Sequence, residues 1–529
     1  MIEPPEYHSH EEFINRSKKL AEIRGIGIDP YPAKFLPQTT VDALLKKYAD
    51  LLVGDSELAE QANTDCVLVA GRLVLFRAMG KNAFAQLQDE NERIQVMFNR
   101  EHTLVVGYSE NKDCELTPLK FLEKKVDMGD FLGIEGHLFR THKGELTIYA
   151  KKVTLLCKSL LPLPDKHSGL TDKELRYRKR WLDLLDHRDV SATFKKRSQI
   201  IRFIRDYFEE HEFLEVETPI LQNIYGGAEA KPFISHINAL DHQQVFLRIS
   251  LEIPLKKLIV GGTRRVYEIG KVFRNEGLDK THNPEFTMVE AYAAYWDYND
   301  MMVFVETLFE RIALYLFGTT EFSYPHPATG ESILLNVKAP WKRLSMKEAI
   351  LHYAKIDVDK LSTEELLTLL KNEGTIDPKK LKDAPRGTLI SLLFAEKVEE
   401  HLIQPHHIID HPIETTPLCK LHRNPKEREE RIVERFESFI LTNEICNAYT
   451  ELNDPELQRE LLVLQALKKE AGDEEANPID EEFIEAICQG MPPTAGVGIG
   501  IDRLVMLFTG AISIRDVLYF PIMKPATHE

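Results

Sequence analysis

Polar and apolar residues alternate in several distinct rhythms along the chain, and each rhythm predicts a kind of element. Over the first sixty residues apolar positions recur at helical spacing twice, near Glu11 to Ile23 and Val41 to Leu52, with the proline-bearing segment IDPYPAKFLP between them. From about Cys66 to Leu156 the period falls to two. The runs CVLVAGRLVLFRAM, FAQLQD, RIQVMFN, FLGIEGHLFRT and ELTIYAKKVTLL read as five strands, separated by turn-formers and one helix-like excursion. After LLPLPDKHSGL, Ile200, Ile201, Ile204, Tyr207 and Phe208 form one stripe of a long helix, roughly Phe194 to His211, which feeds a strand LEVETP closed by Pro219. Strand and helix signals then alternate without the regular repeat of a parallel α/β fold, and Ser345 to Ile403 reads as a helical insertion. The expected architecture is α+β, an N-terminal set of strands followed by an antiparallel sheet flanked by helices.

Five short strands of this kind suggest a small closed barrel of the oligonucleotide-binding type. In FAQLQ, alternation points Ala85 and Leu87 to the barrel core and Phe84, Gln86 and Gln88 outward. An outward ring between amides suits single-stranded bases, which stack on aromatics and present hydrogen-bonding edges. Arg72, on the first strand, joins this set, against the alternative of one exposed aromatic of no consequence.

Two later stretches carry the chemistry. In VYEIGKVFRNEG, Arg274 and Glu276 project to one surface while Phe273 projects oppositely, and Gly277 opens a loop bearing His282, Asn283 and Phe286 before FTMVEAYAAYWDY returns. In GVGIGIDRLVMLF, Gly496, Gly498 and Gly500 lead into an amphipathic helix whose first turn holds Arg503. A cation there opposes the positive end of the helix dipole unless an anion binds both, so the pair Arg274 and Arg503 reads as a clamp on a nucleotide triphosphate. A third stretch, EICNAYTE, puts Asn447, Tyr449 and Glu451 on one face, and Glu290 with Tyr292 repeats the pairing of carboxylate and phenol. Such a cavity suits a ligand bearing ammonium groups. Glu437 and Glu444 are candidate oxygen ligands for Mg²⁺ bridging phosphates, although strict alternation turns Glu444 away from Asn447 and demands a bulge or a strand start there.

Composition narrows the class. With 529 residues, 43% hydrophobic and 29% charged, the chain is an ordinary globular mixture of roughly two to four domains. The acidic, proline-bearing N-terminus and the lack of any run near ~18 apolar residues predict a cytoplasmic protein with no membrane association. Six scattered cysteines (66, 114, 157, 419, 446, 488) without a CxxC pair fit reduced thiols. A net charge of -17 argues against non-specific nucleic-acid binding, leaving local patches such as KELRYRKRW and FKKRSQ. The cluster His406, His407, His411, Cys419 and His422 matches no common zinc spacing and reads as a loop.

Taken together, the long helix ending at Pro219, the FRNEG to HNPEFT hairpin and the GIGIDR strand-helix resemble the three motifs of the class II aminoacyl-tRNA synthetases. The joining segments YGGAEAKPF, RISLEIPLKKLIVGG, EICNAYTELNDP and PPTAG resemble the lysyl group within them. That resemblance implies a helical lead-in over residues 1–60, an anticodon-binding barrel over 61–160, a linker over 161–190 and a catalytic domain over 191–529 with its insertion at about 345–405. It implies a homodimer that activates L-lysine with ATP and Mg²⁺ and transfers it to tRNA(Lys). By the same resemblance Arg274 holds the α-phosphate and the substrate carboxylate, Glu276 the adenine amino group, Phe286 stacks on adenine, and His282 and Arg503 hold the distal phosphates, with Asn283 and Gly500 beside them. Gly227, Glu252 and Glu290 surround the α-amine of lysine, Glu451 and Tyr292 its ε-ammonium, with Asn447 and Tyr449 completing the pocket. Glu437 and Glu444 bind magnesium, and Arg72, Phe84 and Gln86 read the anticodon. Two segments depart from the family pattern: Ser250 to Pro254 lacks the usual aromatic beside Glu252, and Leu441, Thr442 and Asn443 replace a G-G-R. The rival expectations are an aspartyl or asparaginyl synthetase and a repurposed, non-aminoacylating paralogue.

Overall fold

The structure is a computed structural model that describes residues 5–54, 56, 64–108, 116–164, 170–326 and 329–525; Cys114 and residues 165–169 of the expected linker lie outside the described residues. The chain divides into two compact units, Met1–Leu170 and Thr171–Glu529.

In the first unit, helices Glu11–Gly25 and Val41–Lys47 precede the strands. The second helix stops short of the expected Leu52 because Arg140 takes the carbonyls of Tyr48, Ala49 and Leu51 at 2.7 to 3.0 Å and holds that segment out of the helix. Strands Val67–Met79, Asn82–Gln88, Arg93–Asn99, Phe131–Arg140 and Leu146–Cys157 form a barrel, closed by a parallel pairing of Arg93–Asn99 with Leu146–Cys157. Helix Pro118–Lys125 buries Leu119, Phe121 and Leu122 in the barrel core, beside Ala85 and Leu87.

In the second unit an eight-stranded sheet runs in the order Lys342–Ser345, His406–Pro412, Ile432–Ile440, Asn443–Thr450, Thr494–Gly500, Glu285–Ala294, Arg265–Phe273, Leu214–Glu215. Five antiparallel pairings occupy the middle, and one parallel pairing lies at each edge. Period-two alternation splits the central strands between two environments. Val289, Ala291, Ala448, Ala495, Val497 and Ile499 join a core covered by the long helix Arg188–Glu210 and helices Tyr298–Phe317 and Ile501–Thr509. The intervening residues face a cleft. Helices Met346–Ala354, Thr363–Glu373, Pro378–Leu381 and Arg386–Lys397 form the crossover between the two parallel strands at one edge, and much of their apolar surface gathers into a separate core.

Two local expectations are corrected. The histidine cluster is not a loop at its start: His406–Pro412 is a strand, because its side chains are wedged between the sheet and its covering helices. Burial lowers His407, and His411 falls to about 3, so these rings are neutral. Among the described residues no group of three or more His, Cys, Asp or Glu could hold a metal ion. The segment KELRYRKRW is not a free basic face either, since Arg176 and Arg180 both engage the buried Asp183, and Arg180 also donates to the carbonyls of Arg515, Leu518 and Tyr519.

Candidate active site

The cleft on the open face of the sheet encloses a cavity of about 400 Å³. Its walls include Gly227, Glu252, Arg274, Glu276, His282, Asn283, Phe286, Glu290, Tyr292, Glu437, Glu444, Asn447, Tyr449, Gly500 and Arg503, so the hairpin, the helix start and the acidic strands named from the sequence converge on one space.

One end is cationic. The Arg265–Phe273 strand stops just before Arg274, whose backbone N–H donates to Pro284 O at 2.9 Å and pins the loop's return. The Arg274 guanidinium lies 5.2 Å from the centre of the Phe286 ring. Burial lowers its pKa, opposed by Glu276, Glu444 and Glu290. Arg503, third residue of the Ile501–Thr509 helix, donates to Glu444 O at 2.7 Å and sits 3.1 Å from His282 Nε2. Neighbouring Asp502 fixes that helix start, accepting from Arg197 at 2.6 Å and from Thr287 N at 2.7 Å. Buried amide oxygens of Asn283 and Asn477 have no hydrogen-bond partner in the described protein and line the same cavity.

The opposite end is acidic. Glu290 accepts from Leu251 N at 2.8 Å and from the Tyr292 hydroxyl at 2.9 Å, while the Tyr449 hydroxyl bonds both oxygens of Glu252 at 2.7 Å. Burial, then the Glu252 charge, push Glu290 up to about 7. The departure at Ser250 to Pro254 proves compatible with this geometry: Ser250 Oγ accepts from Glu252 N at 3.0 Å, and Pro254 falls in the first turn of helix Glu252–Val260, where a missing N–H costs little. Gly227 is required here, because its φ is +87° and a Cβ would lie 2.9 Å from Glu252 Cβ and closer still to Ser250 Oγ. Glu451 is fully buried next to these wall residues: one oxygen lies where a Cβ on Gly496 would project, beside the Tyr292 ring, and the other lies against the ammonium of Lys256, which also contacts Glu252.

Between the two ends, the required bulge is present: Ser438 pairs with Cys446 but Phe439 with Glu444, so Ile445 is the extra residue and Glu444 turns into the cleft. Loss of hydration and the Glu437 charge raise Glu444, and Glu399, from the insertion, is pushed up to about 7 by burial and by Glu437 and Glu444. Arg435, absent from the sequence reading, binds Asn447 Oδ1 at 2.9 Å and Glu437 at 2.5 Å from the floor. No sequence signal distinguished Arg435 or Glu399, since strand order alone brings the first close and the crossover the second.

On the barrel, Phe84 faces outward but is not isolated; it packs with Met97, Phe139 and Tyr149. Gln86 pairs across strands with Gln95. Arg72 is half-buried, donates to Gly129 O at 2.9 Å and lies 4.3 Å from the centre of the Phe131 ring, which ties it to the barrel wall. Arg77 instead is exposed and directly opposite Phe84. The register shift between Leu73 and Leu75 switches the face on which every later residue of that strand emerges, so Arg77 stands on the same side of the sheet as Arg72, which pairs with Gln88.

This combination of an antiparallel sheet, a cleft cationic at one end and acidic at the other, and a separate barrel is matched by comparison with known families. A model described as tRNA synthetases class II (D, K and N) matches residues 172–524, and one described as OB-fold nucleic acid binding domain matches residues 67–156. The chain belongs to the class II tRNA synthetases. Within that class it is 58% identical over 521 residues to the lysine–tRNA ligase of Chlamydia pneumoniae, covering 98% of each chain. It is 44% identical to the lysine–tRNA ligase of Bacillus cytotoxicus over 97% of each chain, and 44% identical to that of Nostoc punctiforme over 96% of this chain and 87% of the relative.

Proposed function

We propose that this protein is a lysine–tRNA ligase, which condenses L-lysine with ATP to lysyl-adenylate and pyrophosphate and then passes the lysyl group to the terminal ribose of tRNA(Lys). The observation that carries the reading is the continuity of the Arg274 and Arg503 end of the cleft with the end formed by Glu252, Glu290, Tyr292 and Tyr449. An acidic pocket repels the side chain of aspartate, and the cations nearest to it are already paired, Lys256 with Glu252 and Glu451 and Arg435 with Glu437, which disfavours the aspartyl alternative. Both arginines and the barrel are present, which disfavours a repurposed paralogue.

The chemistry is largely electrostatic. The lysine carboxylate is already a nucleophile, so Arg274 has to align one of its oxygens with the α-phosphorus and stabilise the charge that develops there. The new O–P bond forms as the bond to the bridging oxygen of the β-phosphate breaks, and Arg503 with His282 receives the pyrophosphate. Glu276 and Phe286 hold the adenine, with Asn283 and Gly500 alongside. Glu437 and Glu444 fit a magnesium ion: two crowded carboxylates, one raised by the other, match the few-carboxylate-plus-phosphate pattern of that metal. When bound, Mg²⁺ supplies charge neutralisation at the triphosphate oxygens. The acyl group then moves to the 3'-hydroxyl with release of AMP. On the barrel, the base-reading surface we favour is Phe84, Gln86, Gln95 and Arg77. A homodimer is supported by exposed Ile220, Leu221, Ile224 and Ile234, gathered on and beside one small sheet. Among the described residues no helix is long and apolar enough to cross a membrane, and a cytoplasmic setting fits the reading.

The test is amino-acid-dependent exchange of pyrophosphate into ATP. Lysine is expected to support exchange, and aspartate and asparagine are not. Exchange with aspartate or asparagine in place of lysine, or no exchange at all, rejects the assignment.

A further inference from the structure

Lys256 is completely buried, yet it is not a cleft residue, and the proposed chemistry leaves it without a role. It lies one turn after Glu252 on helix Glu252–Val260, and its ammonium contacts both Glu252 and Glu451. The rings of Tyr449 and Phe483 lie 5.5 and 5.8 Å from that ammonium. Burial alone would lower its pKa, but the two carboxylates outweigh that and hold the side chain charged.

The titratable groups around it can be counted by element. The Glu252–Val260 helix gives Glu252 and Lys256, the Glu285–Ala294 strand gives Glu290 and Tyr292, and the Asn443–Thr450 strand and its next residue give Tyr449 and Glu451. Cys419, paired with Glu451 across an isolated bridge, stays a neutral thiol because burial raises its pKa. Both tyrosines are held neutral by burial and by Glu252. Arg435, near Cys419 and Tyr449, is taken up by Glu437 and Asn447, so three carboxyls and one ammonium remain. Burial raises Glu290 to about 7 and raises Glu451 as well; with all three ionised, the state that bound ammonium groups favour, the formal balance is two negative charges. L-lysine brings two ammonium groups to this end of the cleft and presents its carboxylate to Arg274.

We propose that Lys256 is a positioning residue that sets the charge count of the amino-acid pocket, taking up one of three carboxylate charges so that two are left for a diamino acid. The inference rests on the lysine–tRNA ligase reading. Without Lys256, Glu451 and Glu252 repel each other inside the protein, one of them takes a proton, and the arrangement beside Tyr292 and Gly496 is lost. Holding both acids from one side, Lys256 also aims the free oxygen of Glu451 towards Gly496, where a Cβ would collide with it.

The experiment measures lysine-dependent pyrophosphate exchange for wild type, Lys256→Met, Glu451→Gln, the double variant and Lys256→Arg, with ATP binding measured separately as a check on folding. Lys256→Met is expected to raise KM for lysine about 100-fold at neutral pH, as removal of one partner of a buried pair does, with KM for ATP within about threefold. Its acid limb for lysine kcat/KM should move to higher pH, because carboxylates that lose a nearby cation hold their protons more tightly. Lys256→Arg should keep the acid limb in place. The double variant restores a balance of two negative charges, so its kcat/KM for lysine should exceed that of either single variant. If Lys256→Met does not fold, the comparison of the double variant with Glu451→Gln still decides. An unmoved lysine KM and pH profile in Lys256→Met, or a double variant worse than Glu451→Gln, overturns the proposal. Failure of the wild-type enzyme to use lysine would instead overturn the function on which it rests.

Discussion

Gly496 offers a direct test of how closely the acidic end of the cleft is fitted. It lies in a central strand, paired with Tyr292 on one side and Tyr449 on the other. A Cβ at this position would lie 2.7 Å from Tyr292 Cδ1 and closer still to Tyr292 Cε1 and Glu451 Oε1. Neither neighbour has room to retreat, since Tyr292 is 3% and Glu451 1% exposed. Gly496→Ala therefore overpacks the pocket, at a cost of about 1–3 kcal/mol. At ~1.36 kcal/mol per tenfold, that is a rise of about 5- to 150-fold in KM for lysine if the strain falls on the bound pocket. Gly498→Ala is the control, because its Cβ would meet the flexible end of Met288 at 3.1 Å, and a thioether adapts. Initial rates of pyrophosphate exchange against lysine concentration at saturating ATP measure both, with KM for ATP recorded alongside. The reasoning fails if Gly496→Ala keeps its lysine KM within about threefold of wild type, or if the two alanines behave alike.

Three further outcomes are expected. Arg77→Ala should raise KM for tRNA about tenfold while leaving pyrophosphate exchange intact, whereas Arg72→Ala, which removes a wall contact, should lower the melting temperature of the protein; equal effects on tRNA would reject the register argument. Lysine affinity should be full above about pH 7 and fall as pH drops through it, because Glu290, held up to about 7, must be ionised to accept an ammonium; a flat lysine KM between pH 6 and 8 would contradict this. In the unliganded protein the sign is opposite, since a carboxylate raised on folding contributes stability that declines as pH climbs from its unfolded value towards 7. Glu444→Gln should raise the Mg²⁺ concentration needed for half-maximal exchange by about tenfold, read from a magnesium titration, and chelation should abolish exchange in wild type.

Much of the fold was legible because its periods are clean. The barrel strands, the long helix, the hairpin and the insertion follow from local spacing of apolar residues, and these signals survive whatever the elements later touch. Glycines leading into Arg503 and the demand for a bulge before Asn447 were equally local, the latter because a residue on the wrong face announces an irregularity. Local reasoning is blind where a bulge leaves no such trace. Arg72 and Arg77 are five residues apart, which strict alternation puts on opposite faces, and only the irregularity at Val74 brings Arg77 out beside Phe84.

The amino-acid sequence by itself determined the elements, the two arginines and the acidic face, because each depends on neighbours within a few residues. Tertiary structure alone decided which charges meet. Lys256 finds Glu451 across nearly two hundred positions, Arg435 anchors Asn447 from the adjacent strand, and Glu399 reaches the Glu437 and Glu444 pair from a crossover. Electrostatic partnership depends on distance through space and on loss of water, and neither is written in the order of residues along a chain.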